Sequence, residues 1–487
     1  MNWYYPLLLG TNNYLKKFEK DLNQHKNNIE HEKTRLISFL KNAPHYKDKN
    51  LNDFSNMPFM PAALFKDKKY CQNENSPFNG EKIKYIAQSS GTTGEHKYFP
   101  YTKSYTRKLS FLPRAMVASI LKSIGYQKVQ YIFNFTTAAP PKERVISHHG
   151  QGFLTHLQYH EVPKLYQKFY GPPFHITHDE RLFQNLFPLY ALSHNINMLF
   201  MVTPHRLKHL LADLSSNFDE KLKLLDNLNI TSKKRLQYLN SIKDPTLHNL
   251  WPNLHTIVCW KKSICAPVVN ELQKTFHGNI METMYACTEA QLAIPLHHLG
   301  LNGSVLNCKN QYLEFIEEEE KEIVENLRDF RELKEGKLYK VYITNYLGLV
   351  RYPLGDIIQV VGFHKGVPLV EFVRKDKATI LLGHTRISQE IFLECTSRLN
   401  LKNRFLFTAS KDQSHLIFWY HPEENIDLSV ERYLDDELIK RVLNYKDDRQ
   451  SKLIKPLKIK MMTHSQLDKI KVTHNQGKEM ITRQHSL

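Results

Sequence analysis

Residues 83–88 alternate, with Ile83, Tyr85 and Ala87 on one face and Lys84, Ile86 and Gln88 on the other. That is the period-two pattern of a strand. The pattern stops at a run of small and hydroxylated residues, Ser89-Ser-Gly-Thr-Thr-Gly94, with Lys97 three positions on. Upstream, residues 11–42 read as a charged helix with Leu15, Phe18, Leu22, Leu36, Phe39 and Leu40 as its apolar positions, stopped by Pro44. Residues 50–80, with Pro58, Pro61 and Pro77, read as irregular. Downstream the spacing predicts a helix over 102–123, kinked near Pro113, then a strand over 129–135 and a long loop over 136–153. There follow a helix over 182–194, a strand over 196–202 and a helix bearing Leu207, Leu210, Leu211 and Leu214 on one face. A strand over 253–260, a helix over 267–276 and a strand over 280–284 continue the alternation, which implies an α/β architecture with a largely parallel, buried sheet. Strands are expected over 337–345 and 350–362, the second interrupted by Gly355-Asp356.

After about residue 383 the texture changes. Strands over 405–408, 415–420 and 454–461 surround a helix over 428–444, a compact α+β unit of about a hundred residues. The expected division is a large N-terminal α/β domain, 1–383, with mixed and parallel sheets and flanking helices, and a small C-terminal α+β domain, 384–487.

Composition narrows the class. The chain has 487 residues, 41% hydrophobic and 11% aromatic, enough for two or three cores and unlike a disordered chain. Its net charge of +18 favours anionic partners without choosing among them. Residues 451–487 carry eight Lys/Arg against two acids, a solvated face or a contact for nucleic acid or a membrane surface. Six scattered cysteines, none at C-x-x-C spacing, exclude a zinc framework and read as reduced thiols in the cytoplasm. The N-terminus lacks the basic start and cleavage site of a signal peptide, and no apolar run reaches membrane-spanning length. No helix-turn-helix, zinc-finger or RNA-stacking signature is present, so nucleic acid is not an expected partner.

Four stretches carry candidate chemistry. In the first, small residues let backbone N–H groups approach an anion, hydroxyls add donors and Lys97 adds a charge. Ser89, Ser90, Gly91, Thr92 and Thr93 thus outline a phosphate cradle, although the spacing is not that of the common P-loop; a Ser/Gly surface turn between two strands is the alternative. In the second, Met284-Tyr-Ala-Cys-Thr-Glu289, Tyr285 is placed to stack on a purine and Glu289 to ligate Mg²⁺. In the third, Asp356 sits in a turn beside Gly355, able to accept from ribose hydroxyls or serving only as a hairpin-turn residue. In the fourth, Arg374 faces ribose or phosphate, or solvent. His148 and His149 are read as loop residues, since no third metal ligand is near them in sequence.

The order of these stretches resembles the adenylate-forming superfamily, and within it the Gretchen Hagen family of acyl acid–amido synthetases, first known as auxin-responsive proteins. The resemblance runs from about Asn42 to Arg374. It rests on Asn42-Ala-Pro-His-Tyr46, Ser89 to Gly94 with Lys97 and Pro100, Trp251-Pro-Asn-Leu254, Cys259-Trp260, Tyr285 to Glu289 with Ile294-Pro295, Gly348-Leu-Val-Arg-Tyr352, Gly355-Asp356, Gly362-Phe363 and Phe372-Val-Arg374. It implies that a small carboxylic acid attacks the α-phosphorus of MgATP, giving an acyl-adenylate and releasing pyrophosphate, and that an amine, usually an amino acid, then takes the acyl group and releases AMP. It also implies that Ser89 to Thr93 hold phosphate oxygens, Glu289 places Mg²⁺, Asp356 fixes the ribose, Tyr285 packs near adenine and the small domain closes as a lid. The chain departs from the family's pattern in places. Cys287-Thr288 replaces Ser-Ser, and Lys261-Lys262-Ser263 replaces a small turn on the adenine side. Arg386 stands where the hinge usually has lysine. Lys478 is the candidate lid lysine and Lys471 its rival, in a C-terminus that lacks the family's proline. Two other functions fit the same residues: a synthetase passing the adenylate to coenzyme A or a protein thiol, and a degenerate, nonenzymatic nucleotide- or nucleic-acid-binding protein.

Overall fold

The computed structural model describes residues 5–49, 51–89, 97–125, 131–135, 148–152, 170–171, 179–262, 265–376, 379–383, 385–399, 401, 405–463, 466 and 482–483. By contacts the chain divides into two compact units, the larger comprising Met1–Ser89 and Tyr98–Arg374, the smaller built on Lys375–Leu487.

The larger unit opens with the helix Tyr5–Leu40. Leu15, Phe18, Leu22, Ile29, Leu36 and Leu40 are buried along it, three, four or seven residues apart, which is the apolar stripe of an amphipathic helix. It packs on the helix Phe111–Ile124, where the Tyr14 and Phe111 rings meet edge-on at 5.9 Å. The expected kink at Pro113 falls instead at Ser110, between Lys103–Leu109 and Phe111–Ile124. Pro113 lies in the first turn of the second helix, where a missing N–H breaks no helical hydrogen bond.

Two main sheets form the larger unit. One is the expected parallel sheet, five strands in the order Tyr170–Gly171, Ile132–Asn134, Met198–Phe200, Thr256–Cys259, Asn279–Glu282. The chain steps from Ile132–Asn134 to one side and then crosses to the other, so the order reverses between Ile132–Asn134 and Met198–Phe200. Ligands of open α/β sheets sit beyond the carboxyl ends of strands near such a reversal. The other is a seven-stranded sheet in the order Gln311–Glu317, Leu338–Asn345, Tyr352–His364, Val367–Lys375, Ser304–Leu306, Gln291–Ile294, Tyr285–Ala286. Its pairings are antiparallel at both ends. The expectation of a largely parallel sheet therefore covers only one of the two. Helix–strand alternation identifies the first; the second forms where consecutive strands follow one another without helices.

The irregular stretch before the first strand is anchored onto this second sheet. Tyr46 donates to the Gly348 carbonyl at 2.5 Å, and Asn79 Nδ2 to the Tyr346 carbonyl at 2.9 Å. Gly348 has φ +101°, and a Cβ there would lie 2.4 Å from the Phe78 carbonyl oxygen, so close approach and left-handed backbone both require glycine. Arg351, 4% exposed, bonds Glu314 through Nε and Nη2 and the carbonyls of Ser55 and Met57 through Nη1.

In the smaller unit, Lys458–Met461, Leu416–Tyr420, Leu406–Ala409 and Thr482–Arg483 form a four-stranded sheet in that order. The hairpin Thr379–Leu382/Thr385–Ser388 and the helices Gln389–Thr396, Ser429–Arg441 and Leu443–Gln450 belong to the same unit. Ile380, Leu382 and Ile387 join Phe392, Phe407 and Phe418 in its core. Gly383, the expected boundary, is in the turn of that hairpin, whereas the contact division falls between Arg374 and Lys375. Among the described residues no helix is long and apolar enough to cross a membrane.

Candidate nucleotide site

The strand Ile83–Gln88 pairs antiparallel with Tyr98–Thr102, Gln88 opposite Tyr98. Residues 89–97 therefore connect two paired strands, the hairpin topology of the simpler of the two sequence readings. Ser89 and Lys97, at its ends, are half-buried. Ser90, Gly91, Thr92 and Thr93 lie outside the described residues, as does Lys478.

A second hairpin carries Thr288 and Glu289. Tyr285–Ala286 and Gln291–Ile294 pair antiparallel, and the Cys287 N–H donates to the Ala290 carbonyl at 2.9 Å. Its tip is tied down by groups from three other elements. Tyr101 donates to the Thr288 carbonyl at 2.5 Å, while Tyr105 and Asn345 Nδ2 each donate to the Glu289 carbonyl at 2.9 Å. The Tyr352 hydroxyl hydrogen-bonds the Glu289 side chain. A buried carboxylate must be hydrogen-bonded or paired, and Glu289 is 8% exposed.

Asp356 is held against this hairpin. Tyr285 donates to Asp356 Oδ2 at 2.6 Å. Burial first, and then the neighbouring Asp356 charge, holds the Tyr285 phenol well above its ordinary range, so it remains a donor. The third stretch differs from the expected interrupted strand. Tyr352–His364 is continuous, with Lys340 paired to Ile357 and Tyr342 to Pro353. Three residues, Leu354 to Asp356, thus oppose the single Val341. Asp356 sits in a β-bulge rather than a turn, and Gly355 at φ +69° supplies its left-handed residue. A bulge re-aims a side chain without ending the strand, so Asp356 stays 3% exposed within a rigid element. Phe372, on Val367–Lys375, lies 5.8 Å from the Tyr285 ring. Arg374 follows on that strand, its side chain outside the described residues.

Tyr285, Thr288, Glu289 and Asp356 are thus brought together in the larger unit. Arg386 is on Thr385–Ser388 of the smaller unit, half-buried, with Leu381 opposite it. His148 and His149 contact Gln72 Oε1 at 3.2 Å and the Asn73 carbonyl at 2.9 Å. Among the described residues no group of three or more His, Cys, Asp or Glu is arranged to hold a metal.

Sequence reasoning assigned no role to Tyr101, Tyr105, Asn345 or the Tyr352 hydroxyl. It also missed Glu282, at the carboxyl end of Asn279–Glu282, which accepts from the Lys261 N–H at 3.1 Å. Burial pushes its carboxyl up to about 7. The sequence signal for Glu282 is a lone acid inside the expected strand 280–284, three residues before Tyr285.

Residues 69–281 match the GH3 family N-terminal domain and residues 304–375 the GH3 family central domain, together more than half of the chain. The chain belongs to the GH3 family. The first GH3 match contains the 89–97 hairpin and the second contains Asp356 and Arg374; Tyr285, Thr288 and Glu289 lie between them, and Arg386 and Lys478 beyond both. Among curated GH3 relatives, the probable indole-3-acetic acid-amido synthetase GH3.9 of Oryza sativa subsp. japonica is 31% identical over 135 residues, 27% of this chain and 31% of that one. The probable indole-3-acetic acid-amido synthetase GH3.1 of Arabidopsis thaliana is 26% identical over 186 residues, 35% of this chain and 31% of that one. The match thus spans about a third of the length of these relatives. Likeness of fold is wider. The solved AtGH3.15 acyl acid amido synthetase in complex with 2,4-DB aligns over 98% of this chain and 93% of its own, with TM-score 0.61 and 15% identity. A 2-hydroxyisobutyryl-CoA ligase aligns over 95% and 90%, with TM-score 0.56 and 10% identity.

Proposed function

We propose that the chain is an ATP- and Mg²⁺-dependent ligase that activates a small carboxylic acid as its acyl-adenylate and transfers the acyl group to an amine, of the amino-acid class. The observation that carries this reading is the Tyr285–Asp356 contact at 2.6 Å beside the tied-down Glu289 hairpin, in a chain of the GH3 family. Curated relatives named as indole-3-acetic acid-amido synthetases support the reaction class.

The chemistry follows from the groups present. Attack on phosphorus requires charge neutralisation and positioning more than covalent help from the protein. In this reading the donors of Ser89 to Thr93 with Lys97 hold phosphate oxygens, and Asp356 accepts from the ribose hydroxyls. Tyr285 and Phe372 offer apolar ring surface to the adenine, with Arg374 toward ribose or phosphate. The buried Glu289 carboxylate suits Mg²⁺, which keeps several waters and takes its other oxygens from phosphates. Glu289 would hold that ion, whose charge would neutralise phosphate oxygens. In this reading the larger unit binds ATP and acid, the smaller acts as a lid that excludes water from the mixed anhydride, and Arg386 and Lys478 are the candidate basic residues of that lid. We place the protein in the cytoplasm, a reading supported by six cysteines that form no disulfide.

The fold shared with a coenzyme A ligase motivates a second reading, transfer to a thiol. Mass spectrometry of products formed from ATP and an acid separates the two. The proposal expects an amide when amino acids are supplied and no thioester with coenzyme A. A thioester without amide would move the protein to the second reading, and no acid-dependent product with either acceptor would remove both.

A further inference from the structure

The tip of the Glu289 hairpin is gripped from outside. It closes on itself through the Cys287 N–H and the Ala290 carbonyl, a bond that does not use the Thr288 and Glu289 carbonyls. A turn at a surface gives such carbonyls to water. Here both are met by buried phenols, Thr288 by Tyr101 at 2.5 Å and Glu289 by Tyr105 at 2.9 Å.

Those two phenols belong to one rigid stretch. Tyr101 is on Tyr98–Thr102, opposite Tyr85 in the ladder. Thr102 caps the helix that follows, its hydroxyl accepting from the Tyr105 N–H at 3.4 Å, and the Tyr101 and Tyr105 rings meet edge-on with centroids 5.0 Å apart. Lys97 immediately precedes this strand. The stretch that leaves the 89–97 connection therefore also holds the Glu289 tip. From the antiparallel sheet, Asn345 donates to the same Glu289 carbonyl, and Tyr352, on the strand of Asp356, bonds the Glu289 side chain. Mg²⁺ tolerates little departure from its preferred geometry, so a lone carboxylate ligand has to be held in place.

We propose that Tyr101 and Tyr105 are positioning residues for Mg²⁺: by holding the Thr288 and Glu289 carbonyls they fix the Glu289 carboxylate relative to the strand that carries the chain away from the phosphate-holding residues. The inference rests on the ATP- and Mg²⁺-dependent reading above and adds to it the part of the fold that sets its metal ligand. Both phenols act only through the Glu289 hairpin.

The test reads nucleotide binding and needs no turnover. A fluorescent ATP analogue is titrated into the full chain without divalent cation and at rising Mg²⁺. Tyr101→Phe and Tyr105→Phe keep their rings and lose one hydroxyl each. Each should raise the Mg²⁺ concentration at half-maximal tightening roughly five-fold, as for one lost hydrogen bond, and leave the affinity without Mg²⁺ as in the wild type. Tyr46→Phe is the control for stability alone, since it too removes a buried phenol that donates to a carbonyl, that of Gly348. It should lower Tm and leave the Mg²⁺ midpoint unmoved. Either Tyr101→Phe or Tyr105→Phe decides should the other fail to fold. The inference is overturned if the folded variants keep the wild-type midpoint, or if Tyr46→Phe moves it as far. A wild-type nucleotide affinity indifferent to Mg²⁺ would overturn the Mg²⁺ reading itself, and the inference with it.

Discussion

Asp356 and Tyr285 are 71 positions apart and share one hydrogen bond, so the roles of the two residues can be separated by substitution. Tyr285→Phe keeps the ring and removes the donor. An ordinary hydrogen bond contributes about 1 kcal/mol net, so ATP affinity should fall several-fold, with the protein still folded. Asp356→Ala removes the proposed ribose acceptor and should weaken ATP more than Tyr285→Phe does. Equilibrium titration with a fluorescent ATP analogue reads both. Unchanged affinity in Asp356→Ala would displace the ribose from that position. The four residues around this bond were legible in the sequence for one reason: Tyr285, Thr288, Glu289 and Asp356 interrupt apolar runs. Tyr101, Tyr105 and Tyr352 were not legible. In a strand or a helix stripe an aromatic reads as core, and all three rings are buried. The partners of the Tyr101 and Tyr105 hydroxyls lie 187 and 184 positions away, beyond the reach of any periodicity.

Elements were legible where the local pattern decides them. The strand Ile83–Gln88, the helix ending before Pro44 and the helix with Leu207, Leu210 and Leu214 all follow from spacing. Pairing was not, because it depends on which strands meet. The bulge at Asp356 is invisible without Leu338–Asn345 beside it. Arg351 makes the same point: a motif residue in the sequence, it proves to be a strut. Its pair with Glu314 is buried on both sides, and burial raises the Glu314 carboxyl despite the guanidinium. Arg351→Met leaves that carboxylate buried and uncompensated and should cost about 3–5 kcal/mol in denaturant unfolding. The double change with Glu314→Met should cost less than the single one; a larger loss in the double would deny the pair its structural role.

Glu282 sets a second expectation at the scale of an element, the edge of the parallel sheet. Its carboxyl is raised from 4.5 to about 7, chiefly by burial. Between those values the folded state holds more protons than the unfolded state. The stabilisation is complete below the lower value and is lost as pH rises through the upper. Across that window wild-type stability should fall, relative to Glu282→Gln, by about 1 kcal/mol per pH unit. Parallel pH profiles for the two proteins would contradict the buried placement of this carboxyl.

At the scale of the molecule, the sequence contained the two kinds of architecture, an α/β body and a smaller α+β unit, because helix and strand alternate through much of the body and the texture changes near residue 383. It did not contain the large antiparallel sheet, whose seven strands span Tyr285 to Lys375 and close only in three dimensions. The proposed site gathers at the join of the two sheets of the larger unit. The last parallel strand, Asn279–Glu282, runs directly into Tyr285–Ala286, the edge of the antiparallel sheet, and Asp356 arrives from the interior of that sheet. A family match in two blocks, with Tyr285 to Glu289 between them, fits a site assembled from both halves.

That assembly makes one chemical claim before any amine is involved: the chain joins a carboxylate to the α-phosphorus of ATP. Isotopic exchange between pyrophosphate and ATP, run with a panel of aromatic and aliphatic acids and Mg²⁺, tests it most directly. The account requires exchange that depends on both an acid and Mg²⁺ and is strongly reduced in Asp356→Ala. A folded wild-type protein that gives no exchange with any acid, or exchanges equally well without one, would contradict it.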